Sequence, residues 1–251
     1  MLTISGLGLY DVGDIPRKTI AAAGKADKIY YETHTNLYHS TINEIREILG
    51  EKVEEVGRRF LEEDSKKLML EAKTQDILVL VPGDPLAATT HIELILEAKN
   101  AGVQTQVIHA SSIFTAIAKT GLQLYKFGKA TTLPFKTEAK LPTSPYHAVK
   151  QNRDSGLHTL ILLDVKSDEQ RYMSANQGLE VLLELENEIG LGLFRNDTLM
   201  AACARLGAPD EIIKFGEIQK LLKTDFASPP HVLIMPGDLH FKEEEALNQY
   251  A

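Results

Sequence analysis

The segment with the clearest chemical potential is residues 81–91, where an apolar run ends in Pro-Gly-Asp-Pro and Leu-Ala-Ala-Thr-Thr-His follows. This pattern predicts a strand over residues 77–81, a sharp turn, and a helix with Thr89 or Thr90 at its N-cap. Such a turn offers unpaired backbone amides and one exposed carboxylate, Asp84. Because open α/β sheets bind ligands at the carboxyl ends of their strands, the segment predicts a ligand-binding edge.

A second glycine-rich turn, Gly6-Leu7-Gly8-Leu9-Tyr10-Asp11, follows the first predicted strand. It does not complete a dinucleotide-binding fingerprint, because that motif needs a third glycine at the position of Asp11. The turn still allows a ligand to approach the backbone closely. The chain has no Walker loop, His-Glu-x-x-His, Cys-x-x-Cys or Gly-x-Ser-x-Gly motif, and its eight histidines form no pair at helical spacing. We therefore expect no bound metal.

Composition excludes several classes of protein. The 251 residues carry 27 Lys and Arg against 35 Asp and Glu, a net charge of -8, which disfavours a general nucleic-acid binder. The single cysteine, Cys203, lies in an apolar run, and we interpret it as a small core residue in a reducing compartment. No run approaches the roughly 20 apolar residues of a membrane span, and no signal peptide is visible. We expect a cytoplasmic protein with no nucleic-acid and no membrane partner.

Elements that would position these turns alternate as strand and helix in the first half of the chain. The predicted strands there are 2–7, 28–32, 53–56, 77–81 and 104–109. The predicted helices that alternate with them are 16–26, 39–49, 62–73, 92–100 and 112–120. This rhythm predicts a largely parallel sheet with helices on its faces.

The second half has more strands joined by short loops. Its predicted strands are 130–133, 158–165, 198–204, 211–215 and 231–235, and its predicted helices begin at Tyr146 and cover 176–189. This spacing favours a mixed sheet. The chain as a whole is predicted to be an α/β protein of two domains, residues 1–113 and 114–251, with a ligand cleft between them.

Together these motifs resemble the diphthine synthase family along nearly the whole chain. They are Gly6 to Asp11 with Asp14-Ile15, Ala26-Asp27-Lys28-Ile29-Tyr30, residues 82–91, His109-Ala110-Ser111-Ser112-Ile113, Tyr125-Lys126-Phe127-Gly128, Gly156-Leu157-His158-Thr159-Leu160, Arg171-Tyr172-Met173, Pro230-His231 and Leu239-His240. Gly-Asp-Pro-Leu alone indicates only the wider tetrapyrrole-methylase-like superfamily, and the Ala-Thr-Thr-His and Gly-Leu-His-Thr-Leu segments narrow the resemblance. It implies the two-domain class III methyltransferase fold with mixed sheets.

The resemblance implies an S-adenosylmethionine-dependent methyltransferase. The acceptor would be the amine of an aminocarboxypropyl group already attached to one histidine of translation elongation factor 2, and successive transfers would give diphthine. The family also implies a homodimer, and the compact chain resembles archaeal members. The sequence does not decide between three and four methyl transfers, and it identifies no residue as a general base.

Donor-binding positions carry over from the family residue by residue. They are Leu9, Asp84, Ala87, Ser112, Ile113, Leu163, Leu206 and His231. Ala87 and Leu206 stand where valine and alanine are commoner. Residues 135–144 lack the tryptophan that the family usually has, so any contact of this loop with the protein substrate would differ here.

Three rival functions stay open. A corrin or porphyrin methylase would share Gly-Asp-Pro but would need a broad aromatic or basic pocket, and the aromatic content is only 6%. A ribosomal RNA methylase is disfavoured by the net charge of -8. A module that senses the donor without turnover would share the donor site and lack methyl transfer.

Overall fold

The computed structural model describes residues 1–136 and 141–251. The described chain forms two compact units, Met1–Ile113 and Phe114–Ala251. Residues 137–140 of the tryptophan-free loop lie outside the described residues, so the predicted substrate contact of that loop stays a prediction. No helix within the described ranges is long and apolar enough to cross a membrane.

A parallel sheet forms the centre of the first unit. Its strands are β1 (Leu2–Gly6), β2 (Lys28–Glu32), β3 (Val53–Val56), β4 (Ile77–Val81) and β5 (Thr105–Ile108). They lie in the order β3-β2-β4-β1-β5, and every pairing is parallel. Every residue of β1 and β4 is buried, as expected for central parallel strands with both faces covered. The predicted parallel sheet is therefore confirmed.

The helices of the first unit depart from the sequence prediction in two places. They are α1 (Arg17–Ala23), α2 (Ile42–Leu49), α3 (Arg58–Glu62), α4 (Ser65–Ala72) and α5 (Ile92–Asn100). α2 begins three residues later than predicted because Thr41 and Glu44 form a capping box. The helix predicted over 62–73 begins only at Ser65, as α4, because α3, a short helix that was not predicted, ends where the amides of Glu63 and Asp64 both donate to the carbonyl of Arg59.

The predicted N-cap of α5 is also wrong. His91 occupies the N-cap position, and its side chain makes no capping hydrogen bond. The hydroxyl of Thr89 instead donates to the Pro85 carbonyl at 2.6 Å, and that of Thr90 donates to Glu62 at 3.3 Å. Both threonines thus fasten the segment after β4 instead of capping the helix.

A mixed sheet forms the centre of the second unit, as predicted. The strands of this unit are β6 (Thr131–Leu133), β7 (Thr159–Leu163), β8 (Val165–Lys166), β9 (Arg171–Tyr172), β10 (Leu199–Ala204), β11 (Ile212–Glu217) and β12 (His231–Met235). The large sheet has the order β11-β10-β12-β7-β6, in which only the pair β6 and β7 is parallel, and β8 and β9 form a separate hairpin.

The described part of the second unit has five α-helices. They are α6 (Ile113–Ala116), whose first residue belongs to the first unit, α7 (Ser144–Asp154), α8 (Ala175–Ile189), α9 (Ile218–Leu221) and α10 (Phe241–Leu247). Of these, α7, α8 and α9 contribute side chains to the apolar core of the unit. Tyr146, Phe194 and Phe226 are among the largest fully buried side chains. Cys203 is buried in β10, as predicted, and burial raises the pKa of its thiol to about 12, so it is not a nucleophile.

A buried carboxylate, Glu243, joins three loops of the second unit. One oxygen accepts from the amide of Gln123 at 2.9 Å and from Nε2 of His158 at 3.0 Å. The other accepts from the amide of His240 at 2.8 Å and from the ammonium of Lys126. Burial would raise the pKa of Glu243, but these donors lower it to about 2.

Replacing this carboxylate should destabilise the protein in a pH-dependent way. We expect Glu243→Gln to lower the free energy of unfolding by about 3 kcal/mol at pH 7, because Lys126 loses its buried charge partner. Since the folded-state pKa of Glu243 lies below its ordinary value, the stabilisation is complete above about pH 4.5 and is lost as the pH falls toward 2. Urea unfolding of both proteins between pH 7 and pH 3 should show the difference shrinking.

Glu244→Gln is the matched control, because Glu244 is exposed on the same helix. It should change stability by less than about 0.5 kcal/mol at every pH. A Glu243→Gln protein as stable as the Glu244→Gln protein at pH 7 would contradict the anchoring role.

Candidate functional site

Two of the predicted turns are joined through their backbones at the carboxyl edge of the first sheet. The amide of Gly83 donates to the carbonyl of Gly8 at 2.8 Å, and the amide of Gly8 donates back to Gly83 at 3.3 Å. Both glycines have positive φ, +96° for Gly8 and +76° for Gly83, which side-chain-bearing residues rarely adopt. The turn after β1 and the turn after β4 therefore form one backbone unit.

Gly6 lets a third turn join this unit. A Cβ built on Gly6 would lie 2.3 Å from the carbonyl oxygen of Gly83, 2.7 Å from Cβ of Ala110 and 3.1 Å from Cδ of Pro85. Ala110 belongs to the turn after β5, and β1 lies between β4 and β5 in the sheet. Only a glycine at the end of β1 allows the three turns to meet.

Asp84 reinforces the same junction with its carboxylate. Oδ1 accepts from the amide of Leu86 at 3.0 Å, while Oδ2 accepts from the amide of Ala110 at 3.2 Å and lies 2.8 Å from Nδ1 of His109. The side chain of Asp84 is only 13% exposed, whereas that of His109 is 70% exposed. The expectation of a freely exposed carboxylate is therefore wrong, because Asp84 ties the turn after β4 to the turn after β5.

The other predicted donor-binding positions of the first unit lie in or next to these turns. The carboxylate of Asp14 accepts from the amide of Leu9 at 3.1 Å and folds the first turn back on itself. The amide of Ala87 donates to the carbonyl of Asp84 at 3.2 Å, which closes the second turn. Ser112 is buried and Ile113 is half-buried at the start of α6.

The remaining three predicted positions share one edge of the second sheet. Leu163 ends β7, Leu206 follows β10 by two residues, and His231 begins β12. Since β12 runs antiparallel to both neighbours, its first residue lies at the edge where β7 and β10 end. Leu163 is also part of the apolar core. Its side chain packs so closely on Gly178 that a Cβ built there would lie 2.8 Å from its Cδ2.

His231 is fixed as a neutral imidazole in this edge. Its Nδ1 accepts from the amide of Ala175, the first residue of α8, at 2.9 Å, so Nε2 carries the proton and donates to the carbonyl of Ser228 at 3.0 Å. Burial lowers the pKa of His231. Next to it, the buried guanidinium of Arg205 donates to the carbonyls of Phe226 and Ser228 and holds the same loop.

Comparisons with known proteins agree along the chain. Residues 1–222 match the family of tetrapyrrole (corrin/porphyrin) methylases. The chain is 47% identical over 250 residues to diphthine synthase from Methanocaldococcus jannaschii, covering 98% of this chain and 97% of that protein. It is 44% identical over 248 residues to diphthine synthase from Methanococcus aeolicus, covering 98% and 96%. A crystal structure of diphthine synthase superimposes with a TM-score of 0.91 at 37% identity, covering 100% of this chain and 95% of that one.

The chain belongs to the diphthine synthase family. It is therefore an S-adenosylmethionine-dependent methyltransferase of the tetrapyrrole methylase fold. Sequence reasoning about this family member missed the roles of Gly6, Gly83, His109 and Ala110 as partners in the junction of the three turns. The His109-Ala110 motif was visible in the sequence, but only the strand order shows that it lies against Asp84.

Substituting Gly6 should damage this junction more than substituting Gly24, which lies outside it. We expect Gly6→Ala to lower the free energy of unfolding by about 2 kcal/mol or more, because all three atoms that crowd its Cβ belong to the two other turns, which cannot move independently. Chemical denaturation followed by circular dichroism measures the loss.

Gly24→Ala provides the control, since Gly24 is helical and its Cβ would meet atoms only at 3.8 Å. It should leave stability unchanged or raise it by up to about 1 kcal/mol. Equal stability of the two variants would show that the three turns are not tightly joined.

Proposed function

We propose that this chain transfers methyl groups from S-adenosylmethionine to the amine of an aminocarboxypropyl group on one histidine of translation elongation factor 2. The product would be diphthine, an intermediate of diphthamide biosynthesis. The observation that carries the proposal is the 47% identity, over nearly the full length of both proteins, to a relative named diphthine synthase. We further propose a cytoplasmic, archaeal homodimer, in keeping with the family resemblance.

Two rival functions have less support. A tetrapyrrole methylase fits the family model over residues 1–222, but the full-length relatives cited above carry the name diphthine synthase. A ribosomal RNA methylase would need a basic surface for phosphates, and the chain has a net charge of -8.

Residues of the first unit suit a small polar donor. Gly83 is half-buried with open space where a side chain would lie, so a ligand can approach its backbone closely, and Ala87 adds little volume in the same turn. When bound, S-adenosylmethionine supplies an electrophilic methyl group on a sulfonium. We propose that the donor is held by the eight family positions: Leu9, Asp84, Ala87, Ser112, Ile113, Leu163, Leu206 and His231.

Positioning would account for much of the catalysis. The junction of three turns fixes the backbone around Leu9 and Ala87 before any ligand arrives, so little ordering is needed on binding. Holding reactants about 3 to 3.5 Å apart in the attack direction lowers a barrier by roughly 7 to 11 kcal/mol. The acceptor amine must be neutral to attack. The oxygens of Asp84 are already used as acceptors, and we assign no general base; the proton leaves to water.

Asp84→Ala should weaken donor binding through the turns. We expect the affinity for S-adenosylhomocysteine to fall by at least about tenfold, because the turns after β4 and β5 lose their shared carboxylate. The free energy of unfolding should fall by about 1 to 3 kcal/mol, since the amides of Leu86 and Ala110 lose their acceptor. Calorimetric titration well below the unfolding temperature measures the affinity.

His109→Ala tests the side-chain partner of Asp84 separately from its two amide partners. It removes an exposed side chain and leaves both amide hydrogen bonds to Asp84 in place, so we expect an affinity within about twofold of wild type. An Asp84→Ala protein that binds as tightly as the His109→Ala protein would remove Asp84 from the donor site.

The proposed acceptor makes methylation depend on an earlier modification. Elongation factor 2 that carries the aminocarboxypropyl group should gain three methyl groups in successive steps, because each transfer before the third leaves a nitrogen that can attack again. Unmodified factor should gain none, since its histidine offers no such amine. Intact-mass analysis with excess donor measures both.

Outcomes of this assay distinguish the alternatives. Equal methylation of the unmodified factor, or methylation of a tetrapyrrole instead, would overturn the acceptor assignment. A fourth, alkali-labile methyl would indicate an ester-forming enzyme. Donor binding without transfer to the modified factor would indicate a sensing module.

A further inference from the structure

A cluster of ionisable side chains lies at a part of the first sheet that the donor turns do not use. Glu32 ends β2, His34 follows two residues later, and His91 directly precedes α5. All three residues are buried, with 0%, 4% and 2% exposure. Since β2 and β4 are neighbours in the sheet, the loops after these strands bring the three side chains together.

The cluster has the composition and spacing of a metal site. One ligand atom from each of Glu32, His34 and His91 lies within 4.8 Å of the other two. Ligands about 2.1 Å from a tetrahedral ion lie about 3.4 Å apart, so a small side-chain rotation would bring the three into that arrangement. A fourth side chain and second carboxylate, Glu62, lies 4.0 Å from Nε2 of His34.

Glu32 and His34 lie in direct contact at the end of β2. A carboxylate oxygen of Glu32 lies 2.6 Å from Nδ1 of His34 and also accepts from the amides of His34 and Thr35 at 3.3 and 3.2 Å. Burial would raise the pKa of Glu32, but the hydrogen bond and charge of His34 lower it below its usual value. A carboxylate oxygen in this position is a common ligand for a divalent ion such as zinc.

His91 differs from a histidine that anchors a loop through hydrogen bonds. Neither of its ring nitrogens has a hydrogen-bond partner of acceptable geometry among the described residues, although the ring is buried. Burial lowers the pKa of His91, against the opposing influence of Glu32 and of the nearby Pro85 carbonyl. An unsatisfied buried polar group is costly, and a bound ion would provide a partner for one of the two nitrogens.

A small pocket leads to the cluster. It is lined by His34, Glu62 and His91 together with Thr90, Glu93 and Glu97, and it has room for about one water-sized sphere. Its carboxylates would attract a cation, and its size excludes a larger ligand.

We propose that Glu32, His34 and His91, with Glu62 at the pocket mouth, bind one divalent transition-metal ion of the zinc type. Two imidazoles with carboxylates suit zinc, cobalt or nickel, whereas magnesium and calcium prefer oxygen ligands alone. The ion would join the loop after β2 to the segment after β4, at the opposite end of that segment from Asp84. Its role would be structural, since it fastens the segment that carries Ala87 without touching the three-turn junction.

The site can be tested directly by titrating cobalt or zinc into the untagged protein after a chelator has removed any bound metal. Calorimetry should show one ion per chain with a dissociation constant of about 10 μM or tighter. His34→Gln and His91→Gln should each weaken binding by at least about thirtyfold, and Glu62→Gln by about threefold to tenfold. His147→Gln removes an exposed histidine far along the chain and should bind within about twofold of wild type.

A measurement on the wild-type chain covers the case in which a variant does not fold. With histidine rings labelled with ¹⁵N, cobalt should broaden the ring signals of His34 and His91 first, and zinc should restore sharp signals at shifted positions. Binding weaker than about 1 mM, broadening confined to other histidines, or full affinity in His91→Gln would each overturn the proposal. None of these measurements depends on methyl transfer, so they test the metal site separately from the proposed function.

Discussion

The paired hydrogen bonds between Gly8 and Gly83 are the constraint on which the candidate site depends. They require positive φ at both residues and leave no space for a side chain at Gly6. The central position of β1 between β4 and β5 then brings the turn after β5 against the same point, where Asp84 binds it. Backbone geometry, more than any catalytic side chain, defines this edge of the sheet.

Buried ionisable groups act as anchors in both units, but they are satisfied to different degrees. In the second unit, Glu243 accepts four hydrogen bonds, and both nitrogens of His231 are used. In the first unit, Glu32 accepts from the amides of His34 and Thr35, whereas His91 has neither ring nitrogen paired within the described part of the chain. This contrast within one protein is what distinguishes the cluster at His91 from an ordinary buried network.

Local patterns were enough to predict the parallel and mixed sheets, because apolar runs and turn residues reflect short-range physics. They failed where a tertiary partner decides the outcome. Thr89 bonds to the Pro85 carbonyl instead of capping α5, and a turn closed by the Arg59 carbonyl ends the unpredicted α3 and delays the start of α4. Asp84 was recognised as important, but its burial depends on Ala110, which lies in another turn. His34 and His91 are 57 positions apart (91 minus 34), so no spacing rule brings them together.

Because main-chain atoms set the shape of this site, its backbone geometry does not depend on the size of its side chains. The amide of Leu9 is held by Asp14 and that of Ala87 by the carbonyl of Asp84, so neither side chain is needed to fix the turn. Side chains at these positions can change in size while the backbone frame stays in place. With the donor placement proposed above, this edge is a scaffold for bump-and-hole engineering, in which Leu9 is trimmed to admit a sulfonium donor that carries a bulkier alkyl group.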